Sequence, residues 1–189
     1  MLVDDAENGA EYAVGGKFVE PLLGETPRCR DAWIGGVCLQ TSPDTCSPAA
    51  AATLLSRFGI EAQESELAQL CLTRVGTMWQ GLYRGLKLKV DSRDYEVEVF
   101  EGSVEELLHS FDGPQILAVG VSDDRPHPSW YTEELGWSPG VRHSVVLLDQ
   151  LPDGLLLVAD PSVGYEFWTR DDLEVLWLGR SLRLRTRDD

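Results

Sequence analysis

Four residues have the types and the order needed for nucleophilic acyl chemistry: Gln40, Cys46, His143 and Asp160. A thiol attacks as its thiolate, and a helix N-terminus favours that anion through its partial positive charge. Cys46 stands just before Ser47-Pro48, where a helix is predicted to begin. Pro suits the first helical position, and Ala49 to Ala52 are strong helix formers. The thiolate also needs an imidazole, and the imidazole needs an orienting partner. Among the three histidines, His109 falls on a short surface helix and His127 lies between Pro126 and Pro128 in a long loop. His143 opens the apolar strand 144–148, a rigid position for a base. After the turn Pro152-Asp153-Gly154 a second strand returns, and a hairpin would bring Asp160 back alongside His143. Gln40, six positions before Cys46, can aim a side-chain N–H at the spot reached by the Cys46 backbone N–H. Two such donors make an oxyanion hole.

Taken singly, each residue has a structural explanation. A helix-start Cys can be a core residue, a strand-start His a polar edge residue, an Asp-Pro pair a turn. The combination, in this order and with these elements, points to a site.

The elements that must position these residues divide the chain in two. In the first half, helices are predicted from Ser47-Pro48 to the stop at Gly59, over Glu64 to Cys71, and over Thr77 to Leu86 with Thr77 as cap. The second half changes period. Strands are expected at 95–99, 115–121, 144–148, 155–159, 165–168 and 181–185, with short helices at 104–111 and 171–176. A helical half followed by an antiparallel sheet reads as α+β. Residues 1–30 read as a loosely structured lead-in with one short strand, and 31–189 as one domain. Residues 122–140 read as a long loop rich in Pro, Asp and Trp, whose Trp130, Tyr131 and Trp137 are candidates to line a substrate groove.

Composition narrows the partners. The chain carries 32 acidic and 16 basic residues, a formal net charge of −16. Such a surface repels phosphate backbones, so nucleic acid is not expected as a partner. No apolar run reaches the roughly 18–20 residues of a membrane span, and the acidic N-terminus is not a signal peptide. The chain therefore reads as soluble and cytoplasmic as written, with a parent membrane protein left open by its poorly patterned first residues. Neither a zinc-site spacing nor a phosphate-binding glycine loop is present. Four cysteines are too few for a disulfide scaffold, although Cys29 and Cys38 could pair across a short loop.

The segment Gln40-Thr41-Ser42-Pro43-Asp44-Thr45-Cys46-Ser47-Pro48-Ala49-Ala50 resembles the Gln-to-Cys opening of the bacteriocin-processing, double-glycine cysteine peptidases. Phe58-Gly59-Ile60, Glu66-Leu67-Ala68-Gln69-Leu70-Cys71, Gly76-Thr77 and Gly81-Leu82 are similar to that family's helical half. His143-Ser144-Val145-Val146-Leu147 and Asp160-Pro161-Ser162-Val163-Gly164 are similar to its His and Asp elements. The likeness covers about residues 38–168. It implies a papain-like fold, no cofactor, and cleavage of peptide bonds after a Gly-Gly pair in a leader peptide. By position it assigns the nucleophile to Cys46, the base to His143, the third member to Asp160 and the oxyanion donor to Gln40. Two places depart from the family pattern: Thr45 replaces the usual Asp before the Cys, and Ser47 replaces the usual Gly after it. The resemblance suggests a stand-alone peptidase-like domain without the ABC transporter, acting on a peptide or protein. Alternatives on the same scaffold are a non-catalytic peptide-binding module and another acyl-transfer enzyme, such as an amidase or transglutaminase. Gly15-Gly16 is a conceivable self-cleavage site.

Overall fold

The computed structural model describes residues 12–14, 17–19, 32–122, 124 and 126–187. Cys29, and with it the Cys29–Cys38 pairing, and the Gly15-Gly16 pair fall outside that set, whereas Cys38 lies within it. In the lead-in, β1 (Tyr12–Val14) and β2 (Lys17–Val19) form an antiparallel pair, one strand more than the sequence suggests.

From residue 33 onward the helical half comes first. A short hairpin, β3 (Trp33–Ile34) and β4 (Val37–Cys38), precedes α1 (Cys46–Arg57), α2 (Glu64–Leu70) and α3 (Trp79–Val90). The rest is β5 (Tyr95–Glu101), α4 (Val104–His109), β6 (Gln115–Val119), α5 (Trp130–Glu133), β7 (His143–Gln150), β8 (Leu156–Asp160), β9 (Gly164–Trp168), α6 (Arg170–Leu176) and β10 (Trp177–Thr186). Six strands form one antiparallel sheet in the order β5-β10-β6-β7-β8-β9.

Alternation along the strands gives the sheet two buried faces. On β7, Val146 joins the cluster under α1, α2 and α3, while Val145 and Leu147 join the opposite cluster under α4 and α6. Helix α1 is buried along almost its whole length. Ala49, Ala50 and Ala51 are completely covered, so small side chains let the helix lie close against the sheet. The Thr53 hydroxyl accepts from the Cys38 amide at 2.9 Å and ties β4 to the helix.

Two helix starts repay comparison with the sequence. Ser103 caps α4 in a reciprocal box with Glu106. Helix α3 starts at Trp79 rather than at a Thr77 cap and runs to Val90. The Thr77 hydroxyl is engaged with that of Thr73 at 2.8 Å, within the preceding loop. Helices α2 and α3 approach closely because α3 presents glycines there: a Cβ on Gly81 would lie 2.3 Å from the Cys71 carbonyl oxygen. The expected loop 122–140 contains the short helix α5. Among the described residues, no helix is long and apolar enough to cross a membrane.

Candidate active site

Cys46 is the first residue of α1 and His143 the first of β7. Helix α1 packs against β7, so the two residues meet at one end of the helix–sheet contact. The β7–β8 hairpin pairs Val146 with Ala159, which brings Asp160 back toward the start of β7. The His143 Nε2 lies 2.9 Å from the Asp160 Oδ1. That leaves Nδ1 as the ring nitrogen on the Cys46 side, from which the imidazole acts on the thiol by hydrogen bonding and charge. Cys46 and Asp160 are buried and His143 is nearly so.

Electrostatics follow from this placement. Burial pushes the Cys46 thiol up, but the hydrogen bond and charge of His143, helped by the Ser144 backbone and the Ser47 hydroxyl, bring it below its usual value. Burial pulls His143 down, yet the Asp160 carboxylate outweighs it and raises the imidazole to about 10. Cys71 shows what burial does without such partners: its thiol is pushed up to about 12.

The N-terminus of α1 is left open to an anion. Thr45 occupies the cap position but makes no capping bond, and no acidic residue lies in the first turn. The Thr45 hydroxyl instead closes the preceding loop, donating to the Ser42 carbonyl at 3.0 Å. Asp44 accepts from the Gly76 amide at 3.1 Å.

Gln40 sits on the Asp160 turn. Its backbone N–H donates to the Pro161 carbonyl at 2.8 Å, and its Oε1 accepts from the Ser162 hydroxyl at 3.2 Å. With the amide oxygen so engaged, the Nε2 side is the one left to donate. The same Asp160 oxygen that meets His143 also accepts from the Ser162 amide at 2.6 Å. Buried Glu64 accepts from the Thr41 amide at 2.9 Å and anchors the residue after Gln40.

The three loop aromatics differ in placement. Tyr131 is 2% exposed and its hydroxyl donates to Asp172, so it fills the core beneath the loop. Trp130 stacks on Tyr131. Trp137 meets His143 edge-on at 5.7 Å between ring centres and so borders the candidate site. Beyond it, the buried Glu166 accepts from the Trp168 indole at 2.7 Å. Burial, then the nearby Asp160 charge, raises the Glu166 carboxyl well above its ordinary range.

Sequence spacing did not single out Ser162, Glu64, Ser144 or Glu166. Ser162 lies within the quoted Asp160-Pro161 block, and only its separation from Gln40, 122 positions along the chain, hid the contact.

No family model matches the sequence, and no curated protein does. Solved structures do. The double-glycine-motif protease of an AMS/PCAT transporter, solved in complex with the leader peptide, superposes with a TM-score of 0.62 at 14% identity, over 79% of this chain and 90% of that one. The peptidase domain of Streptococcus ComA, a bifunctional ABC transporter of a quorum-sensing pathway, gives 0.60 at 17% identity, over 78% and 96%. The N-terminal peptidase C39-like domain of a toxin-secretion ATP-binding protein from Vibrio parahaemolyticus gives 0.51 at 12% identity, over 77% and 99%. The helical half and six-stranded antiparallel sheet are thus the papain-like α+β fold of the double-glycine peptidase domains.

Proposed function

We propose that the chain is a cysteine peptidase in which Cys46, His143, Asp160 and Gln40 carry the reaction. One observation supports this most: the His143 ring, held 2.9 Å from the Asp160 carboxylate, lowers the Cys46 thiol against the burial that would raise it. A buried thiol with no such partner would be raised, as Cys71 is.

In this reading His143 Nδ1 takes the Cys46 proton, giving a thiolate–imidazolium pair held by Asp160. The sulfur attacks a peptide carbonyl carbon, and the oxyanion is met by the Cys46 backbone N–H and the Gln40 Nε2. The open N-terminus of α1 adds its field. The imidazolium gives its proton to the leaving amine, and water, activated by the same imidazole, hydrolyses the thioester. Trp137 excludes water from one side of the imidazole. Likeness to a double-glycine-motif protease solved with a leader peptide supports, as substrate class, a peptide whose leader segment ends in Gly-Gly and is followed by further residues.

The test is incubation with leader peptides carrying a Gly-Gly pair, read by mass spectrometry. Cleavage after Gly-Gly that vanishes in Cys46→Ala is the expected result. Equal cleavage by wild type and Cys46→Ala would overturn the assignment. Peptide binding without cleavage, with an unreactive Cys46, would make the chain a binding module.

A further inference from the structure

Each of the two residues that bring thiol and imidazole together is followed by a serine, and the two serines touch. Ser47 Oγ lies 2.8 Å from Ser144 Oγ, although 97 positions separate them. Both are about 5% exposed. Ser47 Oγ also lies 4.0 Å from Cys46 Sγ, within the reach of a hydrogen bond to sulfur. We propose that Ser47 and Ser144 are positioning residues: their hydroxyl pair clasps the helix N-terminus to the start of the His strand and offers a proton donor to the ionised Cys46 sulfur. The proposal rests on the peptidase reading above and deepens it.

The proton count supports this assignment. Two hydroxyls hold two protons, and one of them fills the 2.8 Å contact. With Ser144 as donor in that contact, the Ser47 proton is free to turn to sulfur. While Cys46 is a thiol, its own proton points to His143 and the sulfur needs no further donor. Once ionised, the sulfur becomes an acceptor for His143, for the Ser144 backbone N–H and for the Ser47 hydroxyl, and each of these lowers the thiol. The hydroxyl therefore interacts more strongly with the ionised form, which is what a poising group must do. The charged groups that bear on the sulfur are few. His143 on β7 acts directly and Asp160 on β8 acts through His143, while the buried Glu166 on β9 feels the charges of those two. None of them comes from α1, so the donor on the helix side is the neutral Ser47.

The clasp also addresses a geometric problem of this fold. The nucleophile belongs to the helical half and the base to the sheet, and their separation sets the rate of proton transfer. A buried hydrogen bond between the two adjoining residues fixes that separation at its source. The resembled family commonly has Gly at the position of Ser47, which offers no hydroxyl for either task.

The experiment compares Cys46 alkylation by iodoacetamide against pH in wild type, Ser47→Ala, Ser144→Ala and Ser47→Thr, with mass spectrometric readout and a thermal melt of each variant. Loss of one hydrogen bond to the thiolate is expected to slow Ser47→Ala by about two- to tenfold at pH 7 and to move its midpoint upward. Ser144→Ala should shift in the same direction by less, and Ser47→Thr, which keeps the hydroxyl, should stay near wild type. If Ser47→Ala lowers the melting temperature but leaves the alkylation profile unmoved, the pair is a structural link only and the proposal is overturned. An ordinary thiol profile in wild type itself would overturn the peptidase reading, and this proposal with it.

Discussion

Asp160→Asn isolates one charge at the centre of the site. The asparagine keeps an acceptor oxygen for His143 and for the Ser162 amide, now at 2.9 and 2.6 Å from Asp160 Oδ1, and removes the negative charge. A hydrogen bond to a charged group contributes about 1.5–3 kcal/mol and a neutral one about 1 kcal/mol, so the change costs about 1–2 kcal/mol. One pH unit corresponds to about 1.4 kcal/mol, so the His143 midpoint is expected to fall from about 10 to about 9. The same energy lowers the thiolate–imidazolium population relative to the neutral pair roughly tenfold. The sign for stability follows from a raised folded-state pKa. The Asp160–His143 pairing stabilises the fold fully below about pH 6.5, the ordinary histidine value, and the contribution is lost as pH rises through about 10. The variant should therefore lose stability at pH 6 and differ little from wild type above pH 10. The assay is imidazole nitrogen NMR against pH. A wild-type His143 midpoint near 6.5, or an Asp160→Asn midpoint unchanged from wild type, would refute the assembled pair.

Other perturbations test separate parts of the molecule. Iodoacetamide at pH 7 should modify Cys46 and leave Cys71 untouched, because Cys71 is 1% exposed and its thiol is raised to about 12; peptide mapping of the alkylated protein reads this directly. Ser162→Ala removes the hydroxyl that holds the Gln40 amide oxygen, so cleavage of a leader peptide should slow by up to about tenfold. Cys46 alkylation forms no oxyanion and should keep its wild-type rate; equal losses in both assays would count against a role at Gln40. Gly81→Ala places a methyl 2.3 Å from the Cys71 carbonyl, and the helix approach must open. The gain of about 1 kcal/mol in helix propensity is outweighed, and a net loss of about 1–2 kcal/mol should lower the melting temperature by several degrees.

Local rules made much of this fold legible. Pro48 and the alanine run fix the start of α1, so Cys46 falls at a helix N-terminus on local grounds alone. The turn at Asp153-Gly154 folds β7 and β8 into a hairpin and carries Asp160 to His143. Where reading failed, a competing side chain was responsible. Thr77 has the right type for a cap, but the Thr73 hydroxyl captures it and α3 begins two residues later at Trp79. Tyr131 reads equally as a loop aromatic that lines a groove or as one that caps the core, and Asp172, 41 positions later, offers its hydroxyl a buried acceptor, so the ring goes inward. Such captures depend on partners that sequence periodicity cannot locate.

The same distinction explains which parts of the site were hidden. Residue types name the groups that exchange protons, since few side chains have that chemistry. The groups that aim them are ordinary: Ser47, Ser144, Ser162 and Glu64 are common residues whose significance lies in their particular contacts. Two of these contacts, Ser47 to Ser144 and Gln40 to Ser162, link the helical half to the sheet or to the Asp160 turn, and the bond from the Gln40 amide to the Pro161 carbonyl does the same. A site divided between a helix and a sheet has its precision only as good as those links. Cutting one should therefore misalign the chemistry while leaving the fold standing, because the two buried clusters on the faces of the sheet do not pass through them. Variants at these serines should lose rate well before they lose structure, the reverse of what Gly81→Ala should do.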